Sequence, residues 1–219
     1  MRLILAVALA APIMLAALMA LWRFAPPIST LMLARYLTGQ PVTRDYVPLD
    51  RIAPALTAAV IMSEDAKFCR HRGVDWQALG DVLDDADEDG PSRGASTITM
   101  QVVKNLFLWP SRSAIRKGLE IPLSLALEAV WPKYRIMEVY LNIAEWGPDG
   151  IFGAQAAAEA DFRRGADALT LSQAALLATA LPNPILRSPG RPKPGHARLA
   201  RRIAGRVEGA APWVDCLKN

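Results

Sequence analysis

The sequence is poor in the side chains that build zinc modules and disulfide scaffolds. It contains two cysteines and two histidines among 219 residues. Cys69 and Cys216 are too few for a disulfide-stapled fold, although they can form one bridge in an oxidising compartment. His71 has no second histidine or cysteine at the spacing of a zinc site, so we expect it to be a structural hydrogen-bonding residue. We predict no resident metal site.

The chain also lacks a strand signature and an excess of one charge. No run of alternating apolar and polar residues is long enough for a half-buried strand, and no internal repeat occurs. Outside Arg2 and Arg23, the chain carries 23 basic and 21 acidic residues. A balance this close argues against a nucleic-acid partner. The prediction is a mainly α protein.

The N-terminal stretch Leu3–Trp22 holds 20 residues without a charge. As a helix it would span ~30 Å, the thickness of a bilayer core. A cleaved signal peptide is the competing interpretation, but only five apolar residues precede the cleavage-like Ala8-Leu9-Ala10. We therefore predict a membrane anchor over 1–23, a juxtamembrane linker over 24–50 and one domain over 51–219.

Local signals predict the remaining helices. Pro54 suits a first helical turn, Ser96 or Thr97 and Ser113 can cap helices, and Thr170 begins a capping box. The predicted helices cover Pro54–Phe68, about 97 to Phe107, 113–130, Tyr134–Ile143, about 171–180 and 195–208. Pro122 should bend the third of these.

The acidic run at 81–89 is expected to be solvated, because its spacing is not that of a calcium loop.

A basic stretch precedes the first of two candidate carboxylates. Residues 94–119 contain four cations and no acid before Glu120, namely Lys104, Arg112, Arg116 and Lys117. One interpretation is an exposed helix with an Arg116–Glu120 surface pair, worth ~0.3–0.5 kcal/mol. The other is a phosphate site, because clustered arginine and lysine suit phosphate better than a neutral sugar.

The second candidate carboxylate is Glu64. Its neighbours Val60, Ile61 and Met62 are apolar, so a carboxylate there would be desolvated and its pKa raised towards that of a general base. The alternative is a surface Glu–Asp pair at a helix turn, and we interpret Asp65 as structural support. Two helix-borne carboxylates are typical of glycosidic-bond chemistry, and the cations fit a diphosphate leaving group.

Five blocks in order make the chain resemble the monofunctional biosynthetic peptidoglycan glycosyltransferases, the family shared with the glycosyltransferase half of bifunctional penicillin-binding proteins. They are EDAKFCRHRG from Glu64, GASTITMQVVKN from Gly94, RKGLEIPLSLALE from Arg116, KYRIMEVYLN from Lys133 and the weaker GIFGAQAAA from Gly150. Two departures stand out. Met100 replaces the first glutamine of a pair that is common in the family, and Pro122 is unusual beside Glu120.

The resemblance implies a lysozyme-like helical domain with a small membrane-facing segment behind one transmembrane helix. It implies an inverting glycosyltransferase that polymerises lipid II into β-1,4 glycan strands and releases polyprenyl diphosphate. Glu64 matches the general base and Glu120 the second catalytic carboxylate, which acts directly or through a divalent cation, Mg or Mn. Lys104, Arg112, Arg116 and Lys117 match positions near the diphosphate, and Ser96, Gln101 and Asn105 are expected to shape the site.

The same resemblance implies a location and partners. The enzyme would be a single-pass protein of the cell inner membrane with a periplasmic domain, contacting lipid II, the growing strand, and penicillin-binding and cell-division proteins. Two other functions stay open at this point. One is a lytic muramidase or lytic transglycosylase, which does not explain the cations. The other is an inactive scaffold of wall assembly, which does not explain the retained Glu64 and Glu120.

Overall fold

The fold is mainly α-helical, as the sequence predicts. The computed structural model describes the backbone of residues 2–84, 95–111, 113–210 and 213–217, and their side chains except those of 2–9 and 83. The described α-helices are α1 Arg2–Trp22, α2 Thr30–Leu37, α3 Pro54–Glu64, α4 Trp76–Asp84, α5 Ile98–Phe107, α6 Ala114–Val130, α7 Lys133–Ile143, α8 Ala154–Phe162, α9 Leu171–Ala180 and α10 Pro194–Val207.

The predicted helix starts are confirmed because the capping residues act as their types suggest. The side chain of Thr97 accepts from the amide of Met100, and that of Ser113 accepts from the amide of Arg116. Thr170 and Gln173 form both halves of a capping box at the start of α9. These side chains satisfy amide groups that a helix leaves without intrahelical partners at its first turn.

Two predictions about secondary structure are wrong. The helix from Pro54 ends at Glu64 rather than at Phe68, because Asp65 leaves helical geometry and its carboxylate accepts from the amide of Ile98 at the start of α5. Three short strands also exist, namely β1 Thr43–Arg44, β2 Glu145–Gly147 and β3 Ile151–Phe152. With two or three residues each, they are too short to show an alternating pattern.

The strands form one small sheet in the order β1-β3-β2. β1 runs parallel to β3, with Thr43 opposite Ile151, and β2 runs antiparallel to β3. Gly150 at the turn before β3 has φ +72°, and a Cβ there would lie 2.1 Å from the carbonyl oxygen of Pro41. Only glycine therefore fits this turn, which holds the stretch of chain between α2 and α3 against the segment after α7.

The core lies between α3, α5, α7, α8 and α9. Fully buried side chains of this core include Leu56, Ile98, Ile136, Phe152 and Leu177. Met100 is 1% exposed and packs in the interior, so an apolar residue suits its position. α6 continues through Pro122 without interruption, and the bend predicted there stays a prediction.

The C-terminal end of α1 is attached to the rest of the protein by hydrogen bonds to its carbonyls. The indole of Trp131 donates to the carbonyl of Met19 at 2.7 Å, and the guanidinium of Arg135 donates to that of Trp22 at 2.8 Å. Phe107 packs against Trp22, with ring centroids 5.5 Å apart. Within the part of the chain that the structure describes, no helix has both the length and the apolar character needed to cross a membrane.

The two cysteines form a disulfide. Cys69 and Cys216 are bonded, with Cα atoms 5.4 Å apart and a separation of 147 residues along the chain. The bridge joins the segment after α3 to the short 3-10 helix Asp215–Leu217. It therefore fixes the C-terminal segment beside the loop that follows Glu64.

Candidate active site

Glu64 lies at the C-terminal end of α3 and receives neutral hydrogen-bond donors. The hydroxyl of Ser63 donates to its Oε1 at 3.2 Å, and Nε2 of Gln101 donates to its Oε2 at 3.3 Å. Burial raises the pKa of Glu64, and the two hydrogen bonds and nearby Arg187 only partly oppose this. A partly buried carboxylate with a raised pKa and neutral neighbours suits the role of a proton acceptor.

Asp65 fixes the backbone next to this carboxylate. Its side chain is 4% exposed, and its Oδ2 accepts from the amide of Ile98 at 3.0 Å. Nε2 of His71 lies 3.0 Å from both carboxylate oxygens of Asp65. Asp65 therefore joins the end of α3, the following loop and the start of α5, which confirms it as structural support and His71 as a structural hydrogen-bonding residue.

Glu120 has the opposite surroundings. It is 2% exposed, and its carboxylate is paired with Arg116 and with Lys117, whose Nζ lies 2.7 Å from Oε2. The spacing of four residues along α6 brings Arg116 to Glu120, and the spacing of three brings Lys117. The interpretation of Arg116 and Glu120 as an exposed surface pair is wrong, because both side chains are largely buried.

Ser96 connects the neighbourhoods of the two carboxylates. Nζ of Lys117 donates to the hydroxyl of Ser96 at 2.7 Å as well as to Glu120. Ser96 also lines a cavity of about 210 Å³ together with Glu64 and Asp65. The loop before α5 thus brings the Glu64 cavity next to the cations of α6.

Lys104 lies within the electrostatic reach of both carboxylates. It projects from α5, and burial lowers its pKa, with Arg116 and Lys117 lowering it further while Glu120 and Glu64 oppose the shift. A second cavity of about 200 Å³ is lined by Lys104, Gln101 and Asn105. Five predicted residues line these cavities, namely Glu64 and Ser96 the first and Gln101, Lys104 and Asn105 the second. Glu120, Arg116 and Lys117 line neither and are connected to the first through Ser96. Arg112 lies outside the described residues.

The sequence interpretation missed three residues of this neighbourhood. Tyr140 on α7 donates from its hydroxyl to Oε1 of Gln101 at 3.1 Å and lines the Lys104 cavity. Ser63 binds Glu64 directly, and Arg187 acts on it electrostatically. Tyr140 belongs to the KYRIMEVYLN block, so that block was the available signal, whereas nothing near Arg187 in the sequence indicated its position.

The donor set does not fit a resident metal ion. Within the described ranges, no three side chains of histidine, cysteine, aspartate or glutamate come together as metal ligands. Both carboxylate oxygens of Glu120 are already engaged by cationic side chains. We therefore derive no chemical step through a divalent cation.

The geometry offers a proton acceptor and a separate cluster of cations. Glu64 is equipped to accept a proton, because it is partly buried and bound by neutral donors. Lys104, Arg116 and Lys117 place positive charge near Glu120, where a phosphate-bearing leaving group would be stabilised. The two carboxylates thus have distinct environments, which is the pattern that separates their roles.

Comparison with known proteins gives a consistent result. The family model described as Transglycosylase matches residues 31–207. A biosynthetic peptidoglycan transglycosylase of Brucella suis biovar 1 (strain 1330) is 58% identical over 195 residues, covering 89% of this chain and 87% of that protein. Proteins of the same name from Rhodopseudomonas palustris (strain TIE-1) and Agrobacterium fabrum (strain C58 / ATCC 33970) are 55% and 51% identical, covering 84% and 89% of this chain and 78% and 85% of their own. The chain therefore belongs to the transglycosylase family.

Proposed function

We propose that the protein is a peptidoglycan glycosyltransferase of cell-wall synthesis that polymerises lipid II into β-1,4 glycan strands. The observation that carries the proposal is the presence of one partly buried carboxylate bound by neutral donors and of a second, buried one held among cations. The relatives described above are named biosynthetic peptidoglycan transglycosylase, and this chain matches them over most of their length. The helical domain is, in this proposal, of the lysozyme-like kind.

In the proposed reaction, Glu64 accepts the proton of the 4-hydroxyl of the acceptor sugar. The freed oxygen forms a bond to the anomeric carbon of the donor, and the bond from that carbon to the diphosphate oxygen breaks with its electron pair. Attack on the face opposite an α-linked diphosphate inverts the carbon and gives a β linkage. Burial raises the pKa of Glu64, which strengthens it as a base.

The cations stabilise the diphosphate as its charge develops. Lys104, Arg116 and Lys117 supply this charge, and we propose that Arg112 adds to it. Each charge-assisted hydrogen bond to a phosphate contributes ~1.5–3 kcal/mol, and only the part gained in the transition state accelerates the reaction. Glu120 holds Arg116 and Lys117 in place before the substrate arrives, so the side chains need little reorganisation. Ser96, Gln101 and Asn105 shape the site around these groups.

We also propose that 1–23 anchors the protein in the inner membrane with the domain over 51–219 in the periplasm, joined by 24–50. The charge-free stretch Leu3–Trp22 supports an anchor, and the Cys69–Cys216 bridge supports an oxidising compartment. Trp131 and Arg135 would hold the domain close to the membrane by binding the last turn of α1. The substrate partners are lipid II and the growing strand, and penicillin-binding and cell-division proteins are the proposed protein partners.

A lytic enzyme and an inactive scaffold are the two alternatives. Cleavage of a finished glycan has no diphosphate to stabilise, so it gives Lys104, Arg116 and Lys117 no chemical use. A scaffold has no need for a glutamate whose pKa is raised by burial, because such a group costs stability. The cation cluster and Glu64 together therefore favour a polymerase.

The test is to incubate the purified full-length protein with labelled lipid II and to separate the products on a gel. The expected result is long strands that lysozyme digests, and their loss in the Glu64→Gln variant while lipid II still binds. Release of fragments from finished peptidoglycan without strand formation would establish the lytic alternative. The absence of both activities in a folded, lipid-binding protein would favour the scaffold.

A further inference from the structure

A chain of hydrogen bonds runs from the interior of the domain to Glu64. The side chain of Tyr140 is buried, and its hydroxyl donates to Oε1 of Gln101 at 3.1 Å. Nε2 of the same amide donates to Oε2 of Glu64 at 3.3 Å. These hydrogen bonds therefore connect three helices, because Tyr140 lies on α7, Gln101 on α5 and Glu64 on α3.

The orientation of the Gln101 amide decides whether the Glu64 carboxylate faces an N–H donor or an oxygen. An amide has a donating and an accepting end of nearly equal size, so either end fits the space beside Glu64. With the nitrogen towards Glu64, the amide stabilises the carboxylate. With the oxygen towards Glu64, it repels the carboxylate and favours the protonated acid. In the observed arrangement, the Tyr140 hydroxyl gives its hydrogen to the amide oxygen at 3.1 Å. A turned amide would present N–H groups to that hydroxyl, which would then lose this acceptor for its own hydrogen, so the hydroxyl favours the first arrangement.

We propose that Tyr140 is a positioning residue of the reaction. It orients the Gln101 amide so that the amide nitrogen faces Glu64, which keeps the Glu64 carboxylate ionised and able to accept a proton. This inference rests on the proposed function, because it assumes that Glu64 is the base. Tyr140 itself acts through Gln101. These hydrogen bonds also link the protonation of Glu64 to the orientation of the amide, because a protonated Glu64 can donate to the amide oxygen once the amide turns over.

The other charged groups around Glu64 come from several elements. Asp65 follows it directly, Arg187 lies after α9, and Lys104 lies on α5. Tyr140 on α7 also interacts electrostatically with Glu64. Arg187 favours the carboxylate and Asp65 opposes it. The Gln101 amide contacts the carboxylate directly, so turning the amide over would reverse the sign of its effect on Glu64.

The test is the Tyr140→Phe variant of the full-length protein, which keeps the ring in the core and removes only the hydroxyl. We expect the turnover of lipid II near pH 6, relative to the turnover near pH 8.5, to fall roughly threefold to tenfold below the same ratio in the parent protein. KM should change less than kcat, because the hydroxyl contacts no substrate group in this scheme.

A second measurement is independent of activity. Infrared titration of the protein without substrate, as a difference against the Glu64→Gln variant, isolates the protonated-carboxyl band of Glu64. This band should persist to higher pH in the Tyr140→Phe protein. The Tyr46→Phe variant is the matched control, because the hydroxyl of Tyr46 donates to Oε1 of Glu138 at 2.9 Å, away from the residues of the site. It should lower stability without moving the band or the activity ratio.

The outcomes separate the two proposals. An unchanged activity ratio and band in folded Tyr140→Phe protein would overturn the role of Tyr140 and leave the proposed function standing. Near-normal polymerisation by the Glu64→Gln variant would overturn Glu64 as the base. Equal movement of the activity ratio in Tyr140→Phe and Tyr46→Phe would assign the effect to general loss of packing and would also overturn the positioning role.

Discussion

At the scale of single residues, the site separates two carboxylates by the donors that surround them. Glu64 meets the neutral groups of Ser63 and Gln101, and Glu120 meets Arg116 and Lys117. Both are glutamates on helices, so the residue type does not distinguish them. The surroundings do, because burial raises the pKa of Glu64 whereas two cationic side chains engage Glu120.

The kcat/KM of the protein should fall at both acidic and alkaline pH, because residues in the site titrate there. Burial raises the pKa of Glu64, so kcat/KM should fall as pH decreases through a value above that of an ordinary glutamate. Burial lowers the pKa of Lys104, so kcat/KM should fall as pH rises through a value below that of an ordinary lysine. The measurement is a pH profile of kcat/KM with lipid II.

The Lys104→Arg variant checks the alkaline side of this profile. A guanidinium keeps its proton throughout the accessible range, so the alkaline decline should move to higher pH. Turnover at the optimum should fall roughly threefold to tenfold, because the planar group differs in geometry from an ammonium. An alkaline decline that stays in place would show that another group titrates there.

Glu64 should also cost the protein stability. Its pKa is raised in the folded state, so the folded protein binds the proton more tightly than the unfolded chain does. The destabilisation is absent below the unfolded pKa and complete above the folded one. The Glu64→Gln variant should therefore be about 0.5–2 kcal/mol more stable near pH 8 and little changed near pH 4, as measured by urea denaturation. A difference in stability between variant and parent that is the same at both pH values would contradict this prediction.

At the scale of elements, the loop after Glu64 and the helix α6 meet at a position that requires glycine. Gly73 has φ +81°, and a Cβ there would lie 2.8 Å from the backbone oxygen of Ser124 on α6. Its own carbonyl accepts from the hydroxyl of Thr97 at 2.6 Å. The loop, α5 and α6 are thus held together at one point, and Ser124 follows Glu120 by one helical turn.

The Gly73→Ala variant should lower stability by about 2–4 kcal/mol, because it combines an unfavourable φ with a backbone clash. Thermal melting measures the loss. The matched control is Gly205→Ala on α10, where an added Cβ meets nothing within 4 Å. That control should gain about 0.5–1 kcal/mol from helix propensity. Equal effects of the two substitutions would contradict the close approach to α6.

At the scale of the whole molecule, the disulfide closes most of the chain into one loop. Cys69 and Cys216 are 147 residues apart, and the bridge joins the loop after α3 to the C-terminal segment. The nearby Val214 and Leu217 line a cavity of about 420 Å³ with Leu49 and Tyr134. The bridge therefore holds the C-terminal segment against α7 and the stretch of chain that leads into α3.

Replacing both cysteines by serine should lower the free energy of unfolding by about 2–5 kcal/mol, because the unfolded chain loses a long covalent loop constraint. Guanidinium denaturation with and without a reductant measures this change. The reductant should destabilise the parent protein and leave the double variant unaffected. A parent protein that is indifferent to a reductant able to open the bridge would contradict a stabilising role.

The sequence by itself determined the features that depend on neighbouring residues. The caps at Ser113 and Thr170, and a cap at Ser96 or Thr97, predicted three helix starts, because a side-chain oxygen there binds an amide three residues later. The spacing of Arg116, Lys117 and Glu120 determined their contact on α6. The ordered blocks from Glu64 onward indicated the family.

The tertiary structure alone decided what depends on distant parts of the chain. It paired Cys69 with Cys216, placed Tyr140 on the amide of Gln101 and ended α3 at Glu64 through the bond between Asp65 and Ile98. These partners are between 33 and 147 residues apart. Local preference cannot select them, because the packing of whole helices sets which side chains meet.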